Sequence, residues 1–330
     1  MAIKHIGYET ANSYVKVKAA NGESTYLNTL KEVHHSRQEN VLGNGGAGAT
    51  KSIYSINGRK YQVGEPDGLG NTDRNESRYQ NVMYLDASKI AIRRFAENGD
   101  EIVAVTALPS AHYDLPGVEQ TLKNDIMGEH VVYKDGVPLT FNVTKFGTIL
   151  QPVATIIPCI FDQNANVINR GLLKAKKIVV DIGWGSTDVA ILNGLDLERN
   201  IAIDGSMLDA YDYVLNMLED KYEALRNRKI PLFSLESQLK NGDIFEYGDV
   251  QYDCKQIKKD ALAYAASKIM AKLGGNGIEL KEYEFSVFGG GGTTALAENL
   301  KPQLEGVNAF KVERPQIQNA IGCYIKSLTL

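Results

Sequence analysis

The sequence predicts an α/β protein of two domains, and three observations carry that expectation. Short β-branched runs such as 102–107 and 178–180 alternate with segments of helical period such as 207–225. A chain of 330 residues is too long for one small core. Two strand–turn–strand units, at 3–17 and 177–192, share one layout, a hint that the two halves are related.

Composition narrows the class. With 43% hydrophobic and 23% charged residues the chain is an ordinary folded protein, and a net charge of −4 gives no general attraction to nucleic acid or anionic membrane. No apolar run approaches the ~20 residues that span a bilayer. The opening MAIKHIGYE has neither the apolar core nor the cleavage site of a signal peptide. Direct nucleic-acid binding and membrane attachment are therefore not expected. Cys159, Cys254 and Cys323 are far apart and odd in number, and read as reduced residues of a cytoplasmic protein. The histidines include no HExxH, so no transition-metal site is expected.

In chain order, strands at 3–6 and 14–17 flank the polar turn Glu9-Thr10-Ala11-Asn12-Ser13, with Lys16 on the second strand. Residues 35–50 are polar and glycine-rich. Gly43, Gly45 and Gly48 fit GxGxxG, but a hairpin at 52–63 with an Asn57-Gly58 turn follows instead of a helix, so the match reads as a surface loop. A P-loop fails too, because Thr50 stands where a glycine must precede Lys51. A helix at 84–95 and a buried strand at 102–107 come next, the strand ended by Leu108-Pro109-Ser110. A helix at 118–127 and a hairpin at 131–143, turning at Lys134-Asp135-Gly136, follow. Residues 148–157 are apolar but for Gln151, which follows a strand end. A lone glutamine there either satisfies backbone groups in the core or serves catalysis.

Downstream, 201–203 lead through Asp204-Gly205-Ser206 into the helix at 207–225, with Asp204 or Ser206 as its N-cap. A second long helix spans 252–273. A strand at 284–288 runs into four glycines and Thr293-Thr294, with helices at 295–300 and 316–328. Four consecutive glycines cost backbone entropy, which points to a close approach by a phosphate or an adenine face.

The segment KIVVDIGWGSTDVAIL at 177–192 carries the most chemistry. Ile178, Val179 and Val180 suit a buried strand, which Asp181 ends. Gly183, Gly185, Ser186, Thr187 and Asp188 form a polar tip before Val189 to Leu192 resume the apolar run. Glycines at such a tip let backbone N–H groups approach an anion. Asp181 and Asp188 would repel a bare phosphate, so a divalent cation belongs between them, and Mg²⁺ is held in this way. The plain alternative is a solvated hairpin turn, since these residues are common in turns.

Three glycine- or hydroxyl-rich tips thus occur in order, at 9–13, 181–188 and 289–294. This order resembles the actin-like ATPase superfamily, which includes actins, sugar kinases and seventy-kilodalton heat-shock chaperones. DIGWGSTD at 181–188 resembles its second phosphate motif, and FGGGGTT at 288–294 its adenosine motif. Glu9 to Lys16 occupies the first phosphate motif, and Ile321-Gly322 matches the second connecting motif. Within the superfamily the chain most resembles the bacterial ParM-type plasmid-segregation actins, in length, in YQVGE at 61–65, in the hairpin at 131–143 and in ILQP at 149–152.

The resemblance implies an actin-like two-domain ATPase fold, two related β-sheet-plus-helix domains around a nucleotide cleft. Domain I would cover 1–165, with a polar insertion at about 35–80, and be completed by the C-terminal helix at about 312–330; domain II would cover 166–311. It implies ATP and Mg²⁺ in the cleft, with GTP left open because glycine backbone contacts discriminate bases poorly. Gly183, Trp184, Gly185, Ser186 and Thr187, with Thr10, Asn12, Ser13 and Lys16, would bind the nucleotide, Gly183, Gly185, Ser186 and Thr187 cradling its phosphates and Lys16 neutralising their charge. Gly289, Gly290, Gly291, Gly292 and Thr293 would face the adenosine. Asp181, Glu9 and Asp188 would hold the metal through water. Gln151 and Asp181 would be catalytic, Gln151 as a neutral positioner of water, which implies slow turnover. The customary partners are further copies of the chain, joined head to tail, and a small ParR-like DNA-binding adaptor on a plasmid centromere.

Departures from the pattern are Glu9 in place of the usual Asp and Ala11 in place of a glycine, so the first loop must shift. Trp184 is unusual as well, and either covers the phosphates or packs on the surface. A small-molecule kinase of the same superfold is the alternative. It requires a carboxylate base on the acceptor hydroxyl, and Gln151 stands where one would be.

Overall fold

The computed structural model describes residues 2–33, 52–64, 69–70 and 75–330. The glycine-rich stretch at 35–50 and its GxGxxG match lie outside the described residues.

The first half builds one sheet. β1 (Ile3–Thr10), β2 (Tyr14–Ala19) and β3 (Gly22–Leu27) form an antiparallel meander. β4 (Thr29–Glu32), β5 (Ile53–Ile56), β6 (Arg59–Val63) and β7 (Leu69–Gly70) follow. Then come α1 (Val82–Arg93), β8 (Asp100–Leu108), the single turn α2 (Ser110–Tyr113) and α3 (Val118–Ile126). β9 (Gly128–Lys134) and β10 (Val137–Leu150) complete it. The strand order is β3-β2-β1-β8-β10-β9-β5-β6-β4-β7, with β8 parallel to both β1 and β10. The two expected hairpin turns form for the expected reason. Asn57 and Gly58 have φ of 48° and 83°, and Asp135 and Gly136 have 52° and 81°, the positive pair that a two-residue turn between twisted strands demands.

The second half begins with α4 (Gln151–Ile160) and α5 (Arg170–Lys174), then β11 (Lys176–Ile182), β12 (Thr187–Asn193) and β13 (Asp196–Ile203). α6 (Met207–Lys221), α7 (Leu232–Leu239), the small hairpin β14 (Ile244–Tyr247) and β15 (Val250–Asp253), and α8 (Lys255–Gly275) follow. β16 (Phe285–Gly289), α9 (Gly291–Leu300), β17 (Ala309–Lys311) and α10 (Gln318–Ser327) end the chain. The second sheet runs β13-β12-β11-β16-β17. Its central strand is apolar on both faces because both are covered. Ile178, Val180 and Ile182 pack with α6, α8 and α9, and Val179 packs on the other side with Ile156 and Ile160 of α4.

Several boundaries differ from expectation; the helix expected at 295–300, for one, begins at Gly291, so that two of the four glycines lie in its first turn. The helix expected over 252–273 starts at Lys255, because Val250–Asp253 pairs with β14. The helix expected over 207–225 stops at Lys221, and 223–225 turn separately. The apolar segment 148–157 divides at Gln151, where β10 passes directly into α4; Pro152, in the first turn, lacks only an N–H that would have had no partner there.

The two sheets exchange helices. α4 leaves the first sheet and packs on the second, while α10 leaves the second and packs on β1, β2 and β8 of the first. The two helices cross at Gly322, where a Cβ would lie 1.9 Å from the Ala154 carbonyl oxygen. Gly7 of β1 allows the same intimacy, since a Cβ there would lie 2.0 Å from Tyr324 N.

Candidate functional site

A cleft of about 250 Å³ opens between the sheets, and strand ends from both of them line it. In the β1–β2 hairpin, register places Glu9 opposite Lys16, and Lys16 Nζ donates to Glu9 Oε2 at 2.7 Å; both side chains are buried. The intervening loop is closed by Ala11 N–H to Tyr14 O (3.1 Å) and by Asn28, which binds Ala11 O and Ser13 O. Ala11 is not among the described non-glycine residues with positive φ. An alanine therefore fits where the family pattern has a glycine.

The loop between β11 and β12 is a tight turn in which Gly183 N–H donates to Ser186 O at 2.9 Å. A Cβ on Gly183 would lie 2.7 Å from that oxygen, so glycine is required. Two amides at the start of α6, those of Met207 and Leu208, donate to the carbonyls of Gly183 (3.2 Å) and Trp184 (2.8 Å). The loop thereby satisfies N–H groups that a helix start leaves unpaired. Ser206 is the N-cap, with its own N–H bound by Asp209 at 2.7 Å. Trp184 stacks on Phe233 of α7, centroids 4.7 Å apart, and so packs into the cleft wall. Across the mouth, Lys240 Nζ sits 4.7 Å from the centre of the Tyr14 ring, joining the two sides.

Of the residues singled out in the sequence, Glu9, Asn12, Ser13, Lys16, Gln151, Asp181, Gly183, Trp184, Gly185, Ser186, Asp188, Gly291 and Gly292 all line this cleft. Thr10, Thr187, Gly289, Gly290 and Thr293 stand behind its wall. The Thr10 hydroxyl bonds to Ser88 (3.0 Å), Thr187 donates to Gly205 O (2.7 Å) and Thr293 donates to Gly289 O. The glycine run has a reason that composition did not reveal. A Cβ would lie 2.2 Å from Thr155 at Gly289, 2.3 Å from Asp181 at Gly290, 2.4 Å from Gln316 at Gly291 and 2.6 Å from Ile182 at Gly292. The protein's own packing therefore excludes side chains at Gly289, Gly290 and Gly292, whatever ligand the cleft takes, whereas at Gly291 only the end of the flexible Gln316 side chain would have to move.

The acidic groups form one connected set. Gln151 Nε2 donates to Glu9 Oε1 at 2.9 Å, and Asn319 Nδ2 approaches the same oxygen at 3.3 Å. Asn319 Oδ1 meets the Thr155 hydroxyl, which donates to Asp181. Burial, and next the charge of Glu9, raise Asp181 above the ordinary carboxylate range. Asp188 is pushed up to about 7, first by burial, although Ser110 N–H donates to it at 2.6 Å. That amide is the shortest of its hydrogen bonds, with the Ser186 hydroxyl at 3.3 Å on the other oxygen. Thr155 and Asn319, on the two crossing helices, were not legible as site residues; each reads as an ordinary helix polar.

Arg78, Glu236 and Lys240 also line the cleft, and no local pattern in the sequence marks them as site residues. The Glu236 carboxyl is raised to about 7, mainly by burial, against the opposing pull of Lys240 and the Trp184 indole.

Residues 12–153 match the family model of the N-terminal domain of actin-like proteins. The structure of apo psk41 ParM superposes with a TM-score of 0.72 at 16% identity, over 99% of this chain and 97% of that one. The chain has the actin-like fold. The archaeal actin homolog Ta0583 in complex with ADP resembles this actin-like chain with a TM-score of 0.73 at 17% identity, over 98% of each chain. The Alp12 filament structure does so with 0.68 at 14% identity, over 100% of this chain and 99% of that one. No curated protein matches the sequence.

For this actin-like chain the donor set fits a hard cation. Glu9 and Asp181 are buried carboxylates whose mutual repulsion a divalent ion would relieve, and carboxylate oxygen is the ligand that such an ion prefers. Among the described residues no three acidic, histidine or cysteine side chains gather as a preformed all-protein site, and Mg²⁺ bound chiefly through waters and phosphates needs none. The three cysteines are unpaired, and no helix among the described residues is long and apolar enough to cross a membrane.

Proposed function

We propose that this chain binds ATP with Mg²⁺ in the cleft, hydrolyses it, and polymerises head to tail into filaments. The observation that carries the reading is the convergence on one cleft of the 183–186 turn, Lys16, Gln151 and the buried pair Glu9 and Asp181, contributed by strand ends of two sheets. The likeness to an ADP-bound actin homolog and to a filament structure supports it. In this reading residues 1–165 and 312–330 form one domain and 166–311 the other, with α4 and α10 as the joint.

Phosphoryl transfer to water asks the protein mainly for position and charge. Gln151 gives its amide N–H to Glu9, so its carbonyl oxygen remains to orient a water. A neutral amide is no base, and turnover is slow. Asp181 and Glu9, with Asp188, would hold Mg²⁺ through water, and the ion supplies compensation for phosphate charge when bound. Lys16 is shared between Glu9 and the phosphates. Glu9 already receives hydrogen bonds from Lys16, Gln151 and Asn319, so it does not serve as the base that a small-molecule kinase needs.

We further propose a ParR-like DNA-binding adaptor on a plasmid centromere as the partner, and ATP before GTP as the nucleotide. High-speed centrifugation with ATP and Mg²⁺ tests the filament. Protein in the pellet, and release of phosphate, are expected; complete retention in the supernatant at tens of micromolar would overturn polymerisation.

A further inference from the structure

Arg78 stands in a single 3₁₀ turn at Glu76–Gln80, just before α1, and lines the cleft beside the first loop. It is 5% exposed. Its Nη1 donates to Asn12 Oδ1 at 2.9 Å and its Nη2 to Thr10 O at 2.8 Å. Its guanidinium lies 4.9 Å from the centre of the Tyr84 ring and 5.7 Å from that of Tyr79. All of these neighbours are neutral. Among the described residues no carboxylate pairs with Arg78, and its Nε has no hydrogen-bond partner.

A buried guanidinium without a counter-charge is expensive, and two ring faces offset only part of the cost. The side chain has five N–H donors, of which two are used. Lys16, on the strand that follows the first loop, is paired with Glu9 and has only a share of its charge to give a ligand. Of the lysines and arginines lining the cleft, Lys16 is bonded to Glu9, Lys240 lies over the Tyr14 ring at the mouth, and Arg78, with no carboxylate partner among the described residues, grips the Thr10 carbonyl and Asn12 of the first loop.

We propose that Arg78 pairs with the terminal phosphates of the bound nucleotide, and through Thr10 and Asn12 fixes the first loop against them. The inference rests on the nucleotide reading of the cleft. A planar fork bonding phosphate oxygens is the arrangement that guanidinium provides and ammonium does not.

The test is titration of ATP, ADP and AMP into the full chain, comparing wild type with Arg78→Ala and Arg78→Lys. Arg78→Ala is expected to weaken ATP by about 10–100-fold, the worth of a charge-assisted bond, and to leave AMP binding unchanged. Arg78→Lys recovers part of the ATP affinity. Equal losses for ATP and AMP would show a residue that merely props the loop and would overturn the proposal, as would unchanged ATP binding. If Arg78→Ala does not fold, Arg78→Lys decides: a selective loss of ATP supports the proposal and no loss defeats it. Wild type that binds no nucleotide at all would sink the reading of the cleft, and this inference with it.

Discussion

Asp181 and Glu9 are two carboxylates that the chain buries close to one another, and the cost of doing so is informative. Thr155 of α4 donates to Asp181 and Asn319 of α10 donates to Glu9, so the donors around the pair come from the two exchanged helices and a change at one carboxylate is felt around the other. Asp181→Ala is expected to cut phosphate release by about 10²–10³-fold with the fold retained; wild-type turnover would show the metal assignment to be wrong. Glu236 supplies a prediction of a different kind. Its folded pKa of about 7 is above its ordinary value, so the folded state holds a proton that the unfolded chain gives up. The stability tied to its neutral form is complete below about pH 4.5 and is lost as pH rises towards 7. Glu236→Gln should match wild type at pH 4 and exceed it at pH 8 by on the order of 2 kcal/mol. Melting curves across that range check this, and parallel curves would refute it.

Among the elements, strand–turn–strand units were legible because local chemistry dictates them. Asn57-Gly58, Asp135-Gly136 and the 177–192 hairpin all formed in the register that their turn residues demand. What could not be read was any constraint set by a partner distant in sequence. The strand end before Gln151 was legible, but the helix that starts there was not: an apolar run of that length suits either state, and Pro152, which fits a first helical turn, is the one local sign. Nothing near Gly289–Gly292 names Thr155, Asp181 or Ile182 as the residues that forbid a side chain at Gly289, Gly290 and Gly292. Arg78 was invisible for the same reason: its meaning lies in Asn12 and Thr10, 66 and 68 residues away. The helix crossing gives a sharp test at this scale. Gly322→Ala would set a methyl against the Ala154 carbonyl and should destabilise by about 1–3 kcal/mol in urea unfolding, whereas Gly274→Ala, which meets nothing within 4 Å inside α8, should stabilise by about 0.5–1 kcal/mol. Equal effects would mean that the crossing is looser than described.

For the whole molecule, the cleft lies where two halves meet, so a ligand there bonds to both and stabilises their union. ATP at a hundredfold excess over its dissociation constant should add about 2.7 kcal/mol to the unfolding free energy, seen as a raised melting temperature that Asp181→Ala diminishes. The exchanged helices carry a consequence for how the chain is made. Gly7 of β1 waits for the backbone of Tyr324, and His5 Nδ1 waits for the carbonyl of Ser327, 322 residues downstream. On a ribosome that delivers roughly 5–20 residues per second, the first sheet stands uncovered along β1 for tens of seconds after its own strands have emerged. The newborn chain is therefore most exposed to faulty association at the stage just before α10 is released, and a chaperone acting on it would find that face.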